Sequence, residues 1–419
     1  MTVIGLDDTD SRELGMCTTY VASRLADDVE AVGGSVRRTL LVRLNPAVEH
    51  KTRGNAALAV HTDLPTAEAR ALAADLLDLA ADDPETNPGV AVAGCDPDAV
   101  PQAVADFSRV AVRDYHDPDA ARTLAREHGI DTLERGTGRG VVGALAAVGA
   151  FGAFDEWTHE TIAYRERERW GTERDVDRNS VFAAADQAYP AVWDTVDRAE
   201  GTAVCVPRTP CPVLYGIRGE NPDATRRVAR AIESEPVARI HTFLTNQGTD
   251  AHLRPARAGD VENGRAYRVD GTVVDGPETV EGGHVFLTVR EGAALRCAAF
   301  EPTKRFRDRV RALRAGDRVT VCGEVADGTL KLEKFAVRDL TTTELVTPNC
   351  PDCGRSMESA GRGQGYRCRD CGTSADGKAE RPVERDLEKG WYEVPPVARR
   401  HIAKPLVRGG FDAPTHPER

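Results

Sequence analysis

The chain has 419 residues, too many for one hydrophobic core and enough for about three or four domains. Acidic residues outnumber basic ones 67 to 55, and only seven of the cations are lysine; such a surface stays hydrated in concentrated salt, with high genomic GC as the other source of the arginine excess. No apolar run reaches the roughly 18 residues a membrane helix needs and no leader is read at the N-terminus, so a soluble, cytoplasmic, halophilic protein without a membrane partner is expected.

Residues 3–6 form a short apolar strand that runs into Asp7, Asp8 and Asp10, the densest carboxylate cluster in the chain. Ligands of open α/β sheets bind at that strand edge, and three acids repel one another without a cation. The cluster is therefore read as a Mg²⁺ site facing nucleotide phosphates, with an acidic helix-capping turn as the alternative. Thr18 opens a helix over residues 18–28, either as a hydroxyl near that metal or as an N-cap. Strands are expected over 39–44 and 56–61 and helices over 65–81 and 118–128, which makes residues 1–135 one α/β domain. Arg43, Lys51 and Arg53 follow the second strand, where phosphate charge needs neutralising.

Gly136, Thr137, Gly138, Arg139 and Gly140 precede an apolar helix over 141–150, and their amides offer an anion site. The formal GxGxxG match lacks an apolar strand before it and does not signal a dinucleotide fold. Helical patterns near 157–164 and over 181–193, strands over 202–206 and 240–244, and a helix over 224–233 suit a ferredoxin-like sandwich spanning 136–260. Residues 164–174 read as a salt-bridged helix face or a substrate-facing charge relay. Residues 207–219, with three prolines and two glycines, read as a rigid binding loop whose candidate contacts are Arg208, Tyr215 and Arg218. Cys205 and Cys211 are expected to be buried small hydrophobes.

Strands over 267–274, 284–289 and 294–300, a helix over 303–314, and strands over 318–324 and 329–337 follow the order of an OB-fold, assigned to 262–342. Its helix should bury Phe306, Val310 and Leu313 and leave a basic run solvated. Cys350 and Cys353, then Cys368 and Cys371 after fourteen intervening residues, give four soft ligands for one structural Zn²⁺ in a ribbon over 346–385. The glycine-rich loop between the two pairs offers Arg362, Tyr366 and Arg367 to RNA as guanidinium forks and a stacking ring. Residues 386–419 are left as a C-terminal tail.

Six separated stretches resemble, in order, the archaeal tRNA(Ile) 2-agmatinylcytidine synthetase family, TiaS. They are Gly5-Leu6-Asp7-Asp8-Thr9-Asp10, Gly15-Met16-Cys17-Thr18-Thr19, Arg43-Leu44-Asn45-Pro46, Lys51-Thr52-Arg53-Gly54-Asn55, and the runs 209–219 and 358–365. The resemblance covers almost the whole chain and implies a multidomain α/β and α+β protein: a kinase-like domain, a ferredoxin-like domain, an OB-fold β-barrel and a zinc ribbon. It implies that ATP, agmatine and an isoleucine tRNA with a CAU anticodon are substrates. Agmatine is joined to C2 of the wobble cytidine, ATP becomes AMP and pyrophosphate, and Thr18 is the phosphorylatable threonine beside the ATP. A cytosine C2 oxygen leaves poorly, so phosphorylation must precede displacement by the amine. Asp7, Asp8 and Asp10 would then serve Mg²⁺; Lys51, Arg53 and the 136–140 loop would hold ATP, and agmatine would sit between the first two domains near Tyr215. Two other readings stand: an Mg²⁺-dependent phosphotransferase acting on a small molecule, and a non-catalytic nucleic-acid-binding protein built on the barrel and ribbon.

Overall fold

Residues buried on both faces put the first strand, β1 (Thr2–Asp7), inside a sheet. The structure is a computed structural model that describes every residue except Glu49, His50, Thr52 and Arg53; the phosphate candidate Arg53 thus lies outside the described residues. α1 (Thr18–Ala31), β2 (Val36–Arg43), β3 (Ala56–Thr62), α2 (Thr66–Leu76), β4 (Gly89–Ala93), α3 (Gln102–Arg113), α4 (Pro118–Glu127), β5 (Asp131–Glu134) and α5 (Gly140–Ala153) follow. β1 pairs antiparallel with β3 and β4, so Ile4 stands between Val60 and Val92. One face of the sheet is covered by α1 and α2 through Val21, Leu25, Ala69 and Ala73. The other is covered by α5, apolar on every side and almost wholly buried, with α3 packed against it. A Cβ at Gly5 would lie 2.0 Å from the Ala144 carbonyl oxygen, so only glycine admits α5 this close. The helix that the sequence reading grouped with the second block therefore packs on the first.

The second block contributes β6 (Thr158–Arg165), α6 (Arg178–Ala188), β7 (Val192–Trp193), β8 (Val196–Asp197), β9 (Thr202–Ala203), β10 (Val213–Gly219), α7 (Pro222–Ala231) and β11 (Val237–Thr245). It shares one nine-stranded sheet with the first, in the order β5-β4-β1-β3-β2-β11-β6-β10-β7, joined where Leu244 of β11 runs parallel beside Leu40 of β2. β6 corrects the helical expectation for 157–164. Trp157, Thr161 and Tyr164 mimic a helical stripe, but the β-branched Thr158, Thr161 and Ile162 fit a strand between β10 and β11. Arg165 ends that strand almost fully buried and bonds Glu235 at 2.7 and 2.9 Å, so 164–174 is not a solvated helix face. α6 stops at Ala188, ahead of Pro190, rather than reaching 193. Only Thr202 and Ala203 of the expected 202–206 strand pair, with β8. Half of the proline-rich run is strand β10, and Arg174 pins the rest by donating to the carbonyls of Thr209 and Val213, each at 2.9 Å. The polar edge strand β5 leads into the 136–140 loop, where no apolar strand was expected.

Next come β12 (Leu253–Pro255), β13 (Arg265–Thr279), β14 (Val285–Glu291), β15 (Ala293–Ala299), α8 (Phe306–Arg311), β16 (Arg318–Ala326) and β17 (Thr329–Asp339). The sequence β13-β14-β15-β17-β16 closes back on β13, with β15 and β17 parallel, which makes a five-stranded barrel. Phe306, Val310 and Leu313 bury into its core. The basic run beside them is engaged rather than free: Arg305 pairs with Asp197 and Glu418, and Arg307 donates to the Gly283 carbonyl at 2.7 Å.

β18 (Thr343–Val346), β19 (Glu358–Ser359), β20 (Tyr366–Arg367), β21 (Ser374–Ala375), β22 (Ala379–Pro382), β23 (Gly390–Glu393) and β24 (Thr415–His416) complete the chain. β19, β20 and β21 form a small sheet flanked by the β18–β22 pair. The last 34 residues are no loose tail: β23 pairs with β17 and extends the barrel sheet, and Trp391, Tyr392 and Leu406 are buried. Among the described residues no helix is long and apolar enough to cross a membrane.

Candidate functional site

Where β1 ends, the chain lines a cavity of about 880 Å³ that draws on the first sheet, the second block and the C-terminal segment. Asp7 closes β1, and Asp8 leaves it with a φ of 55°, a left-handed turn that aspartate tolerates better than most residues. Burial, reinforced by Asp8 and Asp10, pushes the Asp7 carboxyl well above its ordinary range against the pull of Arg139. Burial also raises Asp8, although Arg139 Nε donates to its carboxylate at 2.7 Å. Asp10 lines the same wall. Thr18 is not the N-cap; Cys17 holds that position, and the buried Thr18 hydroxyl accepts from Thr9 Oγ1 at 3.1 Å. Asp7, Asp8 and Asp10 thus share one cavity, with Asp8 already bonded to Arg139.

The glycine loop behaves differently from its sequence reading. Arg139 reaches the cavity, but Gly136, Gly138 and Gly140 do not line it. Thr137 N donates to Asn87 Oδ1 at 2.7 Å and Gly140 N to Asn87 O at 3.1 Å, so amides reserved for phosphate are already engaged. The glycines answer to packing instead: a Cβ on Gly140 would lie 2.5 Å from Gly89 N, and one on Gly136 2.3 Å from Asn87 Oδ1.

The same cavity is lined by the cations Arg43, Lys51, Arg208, Arg218 and Arg399. Burial lowers Arg43, opposed by Glu160, whose carboxylate stands 3.9 Å away. Lys51 donates to the Pro46 carbonyl and is lowered by burial and then by Arg400. Arg208 is exposed at the rim. Tyr215 is not brought to the cavity: it is 1% exposed, packs in the core under β10, and donates its hydroxyl to the Ala229 carbonyl at 2.9 Å. His401 opens onto the cavity from the C-terminal segment, held well below its ordinary range by burial and by the charges of Arg218 and Arg43.

Sequence reasoning missed Glu160, Arg399 and His401. Glu160 lay in a segment read as helix, and its position opposite Arg218 across β6 and β10 appears only with the strand pairing. The other two lay in what was read as a tail. Cys205 and Cys211 are buried, as expected.

Away from the cavity, the Sγ atoms of Cys350, Cys353, Cys368 and Cys371 all lie within 4.8 Å of one another, with pairs at 3.5 and 3.6 Å. A tetrahedron of sulfurs about 2.3 Å from a central ion has edges of about 3.8 Å, so the cluster fits Zn²⁺. Tyr366 is half-buried against the cluster, whereas Arg362 and Arg367 are exposed. None of the three lines the cavity.

Three family models match: the TiaS TCKD domain over residues 3–72, the TiaS FLD domain over 138–252 and the TiaS C-terminal zinc ribbon domain over 347–387. The tRNA(Ile) 2-agmatinylcytidine synthetase TiaS of Haloquadratum walsbyi is 54% identical across the whole of both chains. The crystal structure of a TiaS complex with an isoleucine tRNA and ATP superposes with a TM-score of 0.89 at 42% identity, covering 100% of this chain and 99% of that one. That of a TiaS complex with an isoleucine tRNA, AMPCPP and agmatine gives 0.86 at 40% identity with the same coverage. With the acid cluster, the following threonine and the four-cysteine ribbon all in place, the chain belongs to the TiaS family of tRNA(Ile) 2-agmatinylcytidine synthetases.

Proposed function

We propose that the protein joins agmatine to C2 of the wobble cytidine in the CAU anticodon of an isoleucine tRNA: a phosphoryl group from ATP is placed on the C2 oxygen, and the agmatine amine then forms the C2–N bond while that oxygen leaves as phosphate. The observation that carries this reading is the one cavity that Asp7, Asp8, Asp10 and Thr18 share with Arg43, Lys51 and Arg218, in a chain of this family. Phosphoryl transfer calls for positioning and for charge around the phosphates more than for an unusually reactive nucleophile, and acidic and basic side chains lining one cavity offer both. Asp7, Asp8 and Asp10 would hold Mg²⁺, which when bound supplies neutralisation of phosphate charge. Arg139 orients the Asp8 carboxylate through the 2.7 Å bond, and the arginine wall receives phosphate oxygens. Glu160, the carboxylate on the cationic side, is the natural partner for the agmatine guanidinium.

Domain by domain, the first block reads as kinase-like, the second as ferredoxin-like and the closed barrel as an OB-fold, a reading supported by its strand order and by the helix between the third and fourth strands. Barrel and ribbon grip the tRNA while the target base leaves its stack, at a cost of a few kcal/mol. Such an enzyme works in the cytoplasm. Incubation of the protein with ATP, labelled agmatine and a CAU-anticodon tRNA transcript tests the proposal; failure to label the tRNA while ATP is cleaved on a small acceptor would favour a plain phosphotransferase.

A further inference from the structure

A buried chain of four charges runs behind the cationic wall. Arg218 on β10 stands opposite Trp193 of β7, and Asp194 follows directly with a φ of 55°, which turns its carboxylate back beneath the guanidinium. Asp194 lies 3.7 Å from Arg218 Nη1 and accepts a bond from Arg399 Nη1. Arg399 in turn meets Glu393 at 2.7 Å and donates to the Val394 carbonyl at 3.0 Å. The four side chains are 5%, 2%, 2% and 1% exposed in the order Arg218, Asp194, Arg399, Glu393.

Arg399 is committed to this network, but Arg218 is not. Its one ionic partner among the described residues stands beyond hydrogen-bond reach, and none of them accepts a hydrogen bond from its guanidinium. Its guanidinium donors open onto the cavity, where an anion can meet them. Glu160, directly opposite on β6, bonds Gln247 and stands 3.9 Å from Arg43, and neither it nor His401 takes a hydrogen bond from Arg218.

We propose that Arg218 is the anion-binding group of this wall and that Asp194 is its positioning residue, so that the cavity takes a phosphate oxyanion of a substrate at Arg218. The inference rests on the function proposed above. The phosphate has two sources, the nucleotide triphosphate and a phosphodiester of the tRNA. Arg399 belongs to the C-terminal segment that pairs with the barrel, so the anion site is complete only when that segment is seated.

The test uses the full-length zinc-loaded protein, with ATP affinity measured without tRNA, tRNA affinity measured without ATP, and steady-state agmatine transfer. Arg218→Gln is expected to weaken one of the two ligands roughly 10- to 100-fold, as for loss of charge-assisted bonds. Weaker ATP with unchanged tRNA assigns the nucleotide; the reverse assigns the phosphodiester; no change in either overturns the anion site. Asp194→Asn is expected to raise KM for the same ligand, and the double variant to be no worse than Arg218→Gln alone. Multiplying effects would show Asp194 acting independently of Arg218 and would overturn the positioning role. If Asp194→Asn does not fold, the Arg218→Gln measurements still decide the anion site. Wild-type protein that transfers no agmatine overturns the function itself, whereas normal transfer with an unchanged Arg218→Gln overturns only this assignment.

Discussion

Gly143 stands behind Asp7 on the buried face of α5, and replacing it with alanine probes how tightly the acid is placed. The new Cβ would lie 1.8 Å from Asp7 Oδ2 and 2.5 Å from Asp7 Cγ. Against the 3.4 Å of an ordinary contact the oxygen must retreat by about 1.6 Å. The backbone cannot yield, since Asp7 is paired with Gly89 and the helix already touches Gly5, so the carboxylate must rotate out of its position. A displacement of about 1 Å in a reacting constellation costs on the order of 100-fold, so kcat for agmatine transfer should fall by at least about that factor. Stability should fall by no more than about 2 kcal/mol, because alanine gains about 1 kcal/mol of helix propensity against an overpacking cost of roughly 1–3 kcal/mol. Single-turnover agmatine incorporation, with thermal melting and tRNA affinity as controls, reads each part. A variant that melts normally and keeps activity within about five-fold would refute the claim that Asp7 must sit where it does.

Asp8→Asn should abolish ATP cleavage and leave tRNA affinity within a few-fold; equal loss of both would break the division between an acid-lined cavity and distal tRNA-binding domains. Cys353→Ser should lose zinc, read by metal analysis, and weaken tRNA binding while sparing any tRNA-independent ATP cleavage, and one zinc per chain in that variant would remove the ribbon assignment. Burial works against ionisation of Glu333, but His252 at 2.9 Å, Arg400 and Lys334 hold it at about 2, below its ordinary 4.5. Its stabilisation, on the order of 3 kcal/mol, is full above about pH 4.5 and lost as pH falls toward 2, so Glu333→Gln should flatten the acid limb of the unfolding curve; parallel curves would contradict this. The salt dependence of tRNA binding should be shallow, about two to four released ions, with activity rising into high KCl; a steep slope with best activity in dilute buffer would show phosphate contacts dominating.

Legibility in the sequence followed locality. Four thiols in two CxxC pairs specify a tetrahedral soft site by chemistry alone, and the structure draws them within 4.8 Å. Three acids after an apolar strand likewise announced a site, because a strand end and its next helix are neighbours in sequence. Phe306, Val310 and Leu313 sit at helical spacing, and they point inward as that spacing demands. Where two periodicities competed, sequence reasoning failed. The 157–164 segment carried a helical stripe, but its β-branched residues found partners in β10 and β11, far along the chain. Pairing of that kind leaves no local trace.

The amino-acid sequence by itself determined the metal ribbon, the acid cluster, the order of the barrel strands and, through its spaced motifs, the family. Those properties depend on side-chain chemistry at short spacing. Tertiary structure alone decided that the first two blocks share one sheet through Leu40 and Leu244, that Tyr215 faces the core rather than a ligand, and that the Thr137 and Gly140 amides are spent on Asn87. It also decided that a segment read as a tail returns to wall the cavity with Arg399 and His401. The physical reason is that a buried charge is stable only beside its counter-charge: Asp194 and Arg399 lie 205 positions apart in the chain, and only the fold brings the two together.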